Sequence, residues 1–354
     1  MKPLQTLLPQ WCLQYRRENL SADLVAGFLV TILVLPQSMA YALLAGLPPQ
    51  LGLYASILPV IAYAWVGSSM TQAVGPVAVT AIMTFAVLSP LAIPGTGDYV
   101  MLAAALSLMS GVLVLGFGLA RFGFLAHLLS RPVVAGFISG SAVLILISQA
   151  KLVLGVVANG DSSWSLLLST IENAPHAKVT AAVLGLSAMA VLIFARKVLG
   201  PLLIRQGVSA KNSAFVVRLV PLLTVIAGTL AVVLGDLDLV YGVAVVGSVQ
   251  SGLPALSLDL PEPATLSRLL APALTMGFIG MVQNITMAQA LAIKRRERVD
   301  ANRELVGLGI ANVVSAFSGG MPVGGAPRAQ RSIPRPAPKA RWPAWWLLSS
   351  WRPF

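Results

Sequence analysis

Charge is scarce in this sequence. Only 10% of its 354 residues are Asp, Glu, Lys or Arg, where a soluble domain carries about 25%. That shortage excludes an ordinary soluble fold. Cysteine is rarer still. Cys12 stands alone, which excludes an intrachain disulfide framework, and no histidine lies near it in sequence to activate it as a nucleophile. The two histidines, His127 and His176, fall at the ends of apolar runs and read as solvated loop residues. HExxH, paired carboxylates inside an apolar run and Cys/His ligand spacing are all missing. No catalytic residue, metal site or cofactor is therefore expected, and the chain does not read as an enzyme. Acidic side chains number 12 against 24 basic ones. The excess of +12 would suit a nucleic acid partner, but the basic residues sit in short gaps between apolar runs. That is the pattern of membrane topology, so no nucleic acid partner is expected.

What the sequence holds in quantity is apolar side chains, 57% of the total, with a mean hydropathy of +0.84. Each crossing of a bilayer core needs about 20 such residues. Eight full runs lie near 24–46, 51–67, 74–90, 100–120, 132–154, 178–195, 213–235 and 268–292, and a ninth starts near 303. The expected fold is an all-α polytopic membrane protein embedded in the lipid bilayer. Lys2 and Arg16-Arg17 precede a long first run, which marks residues 1–20 as a retained segment and not a cleaved leader. The loops alternate in sign. One side carries Arg16, Arg17, Arg121, Arg131, Arg196, Lys197, Arg205, Lys211, Arg218 and the cluster from Lys294 to Arg303. The other carries Asp98, Asp161, Glu172, Asp236, Asp238, Asp259 and Glu262. The positive-inside rule places the N-terminus in the cytoplasm, and the expected location is the cell (inner) membrane.

Two runs are irregular. The second, Leu51 to Gly67, is short for a crossing. The third opens with Gly75-Pro76 directly after the polar residues Ser68, Ser69, Thr71 and Gln72, and closes at Pro90. Proline cannot donate an N–H and ends a helix on its N-terminal side, so the residues before Pro76 are expected to be extended, with a half-helix beginning near Val77 and Ala78. A Gly/Pro-interrupted span points to a transporter binding site, because a half-helix N-terminus offers free N–H groups and a positive dipole end to an anion. A kink needed only for packing is the other reading. In the first run, Gln37 and Tyr41 are four residues apart and share a helix face. They either line a cavity or bond helix to helix. The eighth run carries Gln283, Asn284 and Thr286, with the same choice, and only one of the two polar faces there needs to be functional.

Three stretches now resemble a known family: Asp23-Leu24-Val25-Ala26-Gly27, then Leu35-Pro36-Gln37-Ser38-Met39-Ala40-Tyr41-Ala42, then Ala45-Gly46-Leu47-Pro48-Pro49-Gln50-Leu51-Gly52-Leu53-Tyr54-Ala55-Ser56. Val74-Gly75-Pro76, Gly136-Phe137, Asn302-Arg303-Glu304-Leu305, and Gly307, Gly309 and Asn312 leading to Gly319-Gly320-Met321-Pro322 extend the likeness. The sequence resembles the SulP family, the sulfate permeases and prestin- or pendrin-type anion transporters, over about residues 12 to 323. Met70 departs from the Lys or Arg usual there.

The resemblance implies a seven-plus-seven inverted-repeat transporter fold, incomplete here, with half-helices facing each other across the anion site. It implies secondary transport of an inorganic anion by alternating access, sulfate first, with bicarbonate, chloride or dicarboxylate as alternatives. Carried over, the substrate-binding positions are Gln37, Tyr41, Val77, Ala78, Gln283 and Asn284, with the half-helix break at Gly75 and Pro76. Gln283 stands where many bacterial members have a glutamate tied to cation coupling, and glutamine does not titrate. Uncoupled transport or exchange follows from that. A STAS domain normally follows the membrane domain and supports a homodimer, and it is absent from this sequence. The contrasting function is a non-transporting membrane scaffold derived from such a transporter.

The transmembrane domain is expected over 21–323. From Gly324 to Phe354 the character changes, with six basic residues, no acidic ones, many prolines and Trp342, Trp345, Trp346 and Trp351. The same codons shifted by one base accommodate Arg-Thr-Ala-Leu-Asn-Ser, the kind of run that opens the second half-helix in the family. The tail is read as frameshifted, and the chain as a fragment that does not transport by itself. Resequencing the gene is expected to find that one added base between about Val323 and Arg328 restores a long apolar reading frame; if no nearby base does so, the tail is natural.

Overall fold

A computed structural model describes residues 20–69, 72–124, 131–156, 158, 163–245, 252, 254, 256–295, 299–318 and 320–327. Cys12, Arg16, Arg17, Met70, His127, Asp161 and the tail beyond Pro327 lie outside them.

The apolar runs become helices at nearly the expected places. α1 spans Leu20–Leu44 with Pro36 inside it. The second run is two pieces, α2 (Pro49–Tyr54) and α3 (Leu58–Val66), each opened by a proline in its first turn, where the missing N–H costs nothing. The third run is β1 (Gln72–Gly75) followed by α4 (Ala78–Leu88). α5 (Gly97–Leu119) starts at Thr96, whose hydroxyl accepts from the Tyr99 N–H, and carries Asp98 in its first turn, both favourable at a helix N-terminus. α6 (Arg131–Leu154) and the short α7 (Ser163–Glu172) follow.

The sixth run continues past its expected end at 195. α8 (Val179–Phe194) passes through a π turn at Ala195–Leu199 into α9 (Gly200–Arg205). Arg196, Lys197 and Arg205 therefore stand on continuing helix, where a loop was expected. Helix α10 covers Ala210–Leu234, α11 Leu237–Tyr241, α12 Pro263–Arg295 and α13 Ala301–Ser318. The last element, β2 (Gly324–Pro327), directly follows the expected domain limit at Val323.

Burial divides the chain. Half of the most apolar window of α5 is buried, against 6% in α8–α9 and in α10. The buried cluster draws on Tyr63, Val74, Ala81, Tyr99, Leu106, Met281, Ile285, Leu305, Leu308 and Met321. α13 packs along α5 and against α3, and α12 also lies on α5. Lipid supplies no hydrophobic drive between helices, so close approach of small residues must supply the contact. A Cβ on Gly309 would lie 2.5 Å from the Leu115 N, and one on Gly111 2.8 Å from the Val313 N. β1 and β2 pair antiparallel, with Gln72 opposite Pro327, Ala73 opposite Ala326, Val74 opposite Gly325 and Gly75 opposite Gly324.

Gly309→Ala forces backbone against backbone and is expected to destabilise the fold by about 1–3 kcal/mol, read as a lower thermal midpoint in detergent. Gly116→Ala on α5 adds a methyl where nothing lies within 4 Å and leaves the midpoint in place. Equal shifts in the two variants would refute this packing account.

Candidate functional site

The break in the third span organises the site. Val77, the residue before α4, is extended at φ −136° and ψ 152°, and its own side chain does not cap the helix start. The first turn of α4 thus has N–H groups with no intrahelical acceptor, immediately behind Gly75-Pro76. Val77 is 8% exposed and Ala78 is half-buried. The half-helix expected near Val77 and Ala78 begins there.

α1 packs against α4 and carries the expected pair. The Gln37 Nε2 donates to the Tyr41 Oη at 2.9 Å, so the two do share a face. The direction of this bond matters. Tyrosine is used as an acceptor, which leaves its own hydroxyl proton and the second Gln37 amide proton for another partner.

α12 packs on α4, β1 and β2 and separates its two polar residues. Asn284 is fully buried. Its Oδ1 accepts from the Gln72 Nε2 at 2.5 Å, its carbonyl accepts from the same nitrogen at 3.2 Å, and its Nδ2 donates to the Glu304 carbonyl at 3.3 Å. Its side chain is committed to packing. A Cβ on Gly325 would lie 2.1 Å from the Gln72 Nε2 and 2.4 Å from the Asn284 Oδ1, so this pair fits only over glycine. Gln283 is half-buried, and among the described residues its Oε1 is enclosed without a hydrogen-bond partner, as is the Oε1 of Gln72.

Residues quoted from the sequence only for the family resemblance or as a polar run, together with Tyr63 and Asp300, support these groups. Glu304 on α13 is fully buried. Its carboxylate accepts from the Tyr63 Oη at 2.5 Å, from the Ser68 N–H and Oγ at 2.8 and 2.7 Å, and from the Ser69 N–H at 2.8 Å. Arg303 donates from Nη2 to the Val66 carbonyl at 3.3 Å, at the end of α3. Asp300 accepts the N–H groups of Asn302 and Arg303 at 2.9 and 3.3 Å, and the Asn302 Oδ1 accepts the Gly123 N–H at 2.8 Å. Asn312 faces Val323 like a strand, accepting its N–H at 2.9 Å and donating to its carbonyl at 3.0 Å. Asp300, just before α13, and the three consecutive residues Asn302, Arg303 and Glu304 in its first turn thus each hold a backbone group. The signal available in sequence was the density of such residues beside an apolar run. Among the described residues, no group of three or more His, Cys, Asp or Glu could hold a metal.

The sequence profile of the sulfate permease family matches residues 20–331. The chain belongs to that family. It is 36% identical over 310 residues to a "Probable sulfate transporter" of Mycobacterium tuberculosis, covering 88% of this chain and 52% of that protein. Its fold is that of the murine solute carrier 26 family member A9 anion transporter in its inward-facing state, with a TM-score of 0.78 at 23% identity over 91% of this chain and 55% of the other. It is also that of the transmembrane domain of a cyanobacterial bicarbonate transporter, with a TM-score of 0.72 at 24% identity over 88% and 76%. This sulfate permease family member is a multi-pass membrane protein of all-α transporter fold, and it spans about half the length of the curated relative it matches.

Asn312→Ala strands the N–H and carbonyl of Val323, both buried ahead of β2. The expected loss is at least about 2 kcal/mol, seen as a lower thermal midpoint. Asn312→Asp keeps the acceptor for the N–H but turns an oxygen to the Val323 and Leu308 carbonyls at a buried position, and is expected to lower the midpoint as well.

Proposed function

We propose that this chain carries the first half of the translocation site of a secondary transporter of inorganic anions, sulfate first, working by alternating access. The observation that carries the reading is the uncapped start of α4 behind Gly75-Pro76. A helix N-terminus favours an anion through free N–H groups and its dipole, and interrupted helices are how membrane transporters bring such ends to a substrate. Gln37 and Tyr41 add neutral donors from α1, oriented by their mutual hydrogen bond. Val77, Ala78 and Gln283 complete the near side of the site, and Asn284 stands behind it. Gln283 cannot exchange a proton at neutral pH, which favours uncoupled transport or anion exchange over proton coupling at this position.

The chain is oriented with its N-terminus in the cytoplasm of a cell whose inner membrane it occupies, by the alternation of basic and acidic loops. It acts as a transporter and not an enzyme, and needs no cofactor. Transport itself is a property of the whole protein, given the share of its relatives that this chain spans, and a homodimer is the assembly proposed. Bicarbonate, chloride or a dicarboxylate is the alternative cargo of the same site.

Vesicles holding the chain, and a version with the restored reading frame, are to be assayed for uptake of labelled sulfate, bicarbonate, chloride and dicarboxylate. The restored version is expected to move sulfate, and movement of none of the four would refute the reading. Gln37→Ala is expected to weaken anion affinity about tenfold, the worth of one hydrogen bond to a charged ligand, with insertion and expression unchanged. Unchanged affinity would make Gln37 a helix contact only.

A further inference from the structure

Glu304 touches none of the groups proposed to meet the anion, yet a fully buried carboxylate is costly unless its oxygens are well partnered. The partners it has are not scattered. One oxygen accepts from Ser68 and Ser69, at the corner between α3 and β1. Ser69 in turn accepts the Gln72 N–H on its Oγ at 3.2 Å. The Gln72 side chain donates to the Asn284 Oδ1, and the Asn284 Nδ2 donates back to the Glu304 carbonyl. The path closes on the residue where it began.

We infer that Glu304 is a positioning residue for the anion site: it anchors a closed hydrogen-bonded ring through Ser69, Gln72 and Asn284 that fixes β1 against α12 and α13. The inference rests on the reading of the β1–α4 break as that site. Gln72 opens the strand that leads into the α4 start, and Asn284 is the neighbour of Gln283. The ring therefore sets the spacing between two parts of the site that lie on separate elements. β2 restrains β1 only along one edge, whereas the ring ties its first residue and its preceding corner to two helices. The Tyr63 hydroxyl satisfies the other carboxylate oxygen and stands outside the ring. An amide at 304 keeps an oxygen for Ser68 and Ser69 and can donate to the Tyr63 Oη, so charge is not what the ring requires. Reach is.

The test uses the full chain in lipid nanodiscs with two readouts, hydrogen exchange and binding of labelled sulfate. In Glu304→Ala, exchange over residues 72–80 is expected to rise about tenfold, while peptides from 179–234 stay as in wild type, the mark of local and not global opening. Sulfate affinity is expected to fall about fivefold in the same variant. Glu304→Gln rescues both, and Tyr63→Phe leaves both within about twofold of wild type. Should Glu304→Ala fail to insert, Ser69→Ala removes the ring's link to the Gln72 N–H and must raise exchange in the same peptides. A uniform rise across the chain, no rise at 72–80, or equal loss in Glu304→Gln and Glu304→Ala overturns the inference, as does unchanged sulfate affinity in Glu304→Ala. Wild-type protein that binds neither sulfate, chloride nor bicarbonate refutes the anion-site reading instead, and the exchange contrast then still decides whether Glu304 positions β1.

Discussion

Backbone that is not helical has to find its hydrogen bonds within the protein when it lies at membrane depth, because lipid offers none. Pro76 imposes that demand on the third span of this fold, since it cannot extend a helix towards its N-terminal side. The residues before it are extended, and their N–H and carbonyl groups pair with β2, a strand that arrives about 250 residues later. Pairing alone would leave the approaches to both strands unsupported. Asn312 holds Val323 just ahead of β2, and Glu304 holds Ser68 and Ser69 just ahead of β1. Both supports project from α13, which is itself pressed onto α5 at contacts that admit no side chain. The glycines of α5 and α13, the polar residues of α13 and the break at Gly75-Pro76 are thus parts of one solution to a single backbone requirement.

Much of this was legible in sequence, for physical reasons. An apolar run long enough to cross a bilayer announces itself by composition, and most of the expected spans agree with the observed helices to within a few residues. The half-helix start was legible because proline fixes its own geometry and that of its predecessor. The sharing of a face by Gln37 and Tyr41 followed from helical period. Other features were hidden because they depend on pairings far apart in the chain. Nothing near Gln72 says that it meets Asn284, and nothing near Glu304 says that Ser68 is its partner. The continuation through Ala195–Leu199 was missed for a different reason. Arg196 and Lys197 read as a loop, but long basic side chains on a helix can reach the membrane surface while the helix goes on.

Adjacent polar residues on α12 illustrate why spacing alone leaves a role open. Gln283 and Asn284 are about 100° apart around the helix, so they serve different neighbours. Asn284 turns to β1, β2 and α13 and has its oxygen and a nitrogen proton engaged there. Gln283 keeps an enclosed oxygen without a partner among the described residues. Composition marks both as unusual in an apolar run, and the packing gives them different neighbours.

The electrostatics of the proposed site follow from the same arrangement. A buried carboxylate close behind an anion site would oppose binding if its charge were free to act. The Glu304 carboxylate accepts from four donors, two of them backbone N–H groups. What remains to attract an anion is a helix N-terminus, an amide and a phenol, none with a full positive charge. A transporter has to release what it binds, and a site built from dipoles holds an anion less firmly than one built on a buried guanidinium or ammonium group. Shape and the directions of a few N–H and O–H groups must then carry selectivity. In the proposed site, the hydrogen bonds that fix β1 against α12 then matter to function alongside the residues in contact.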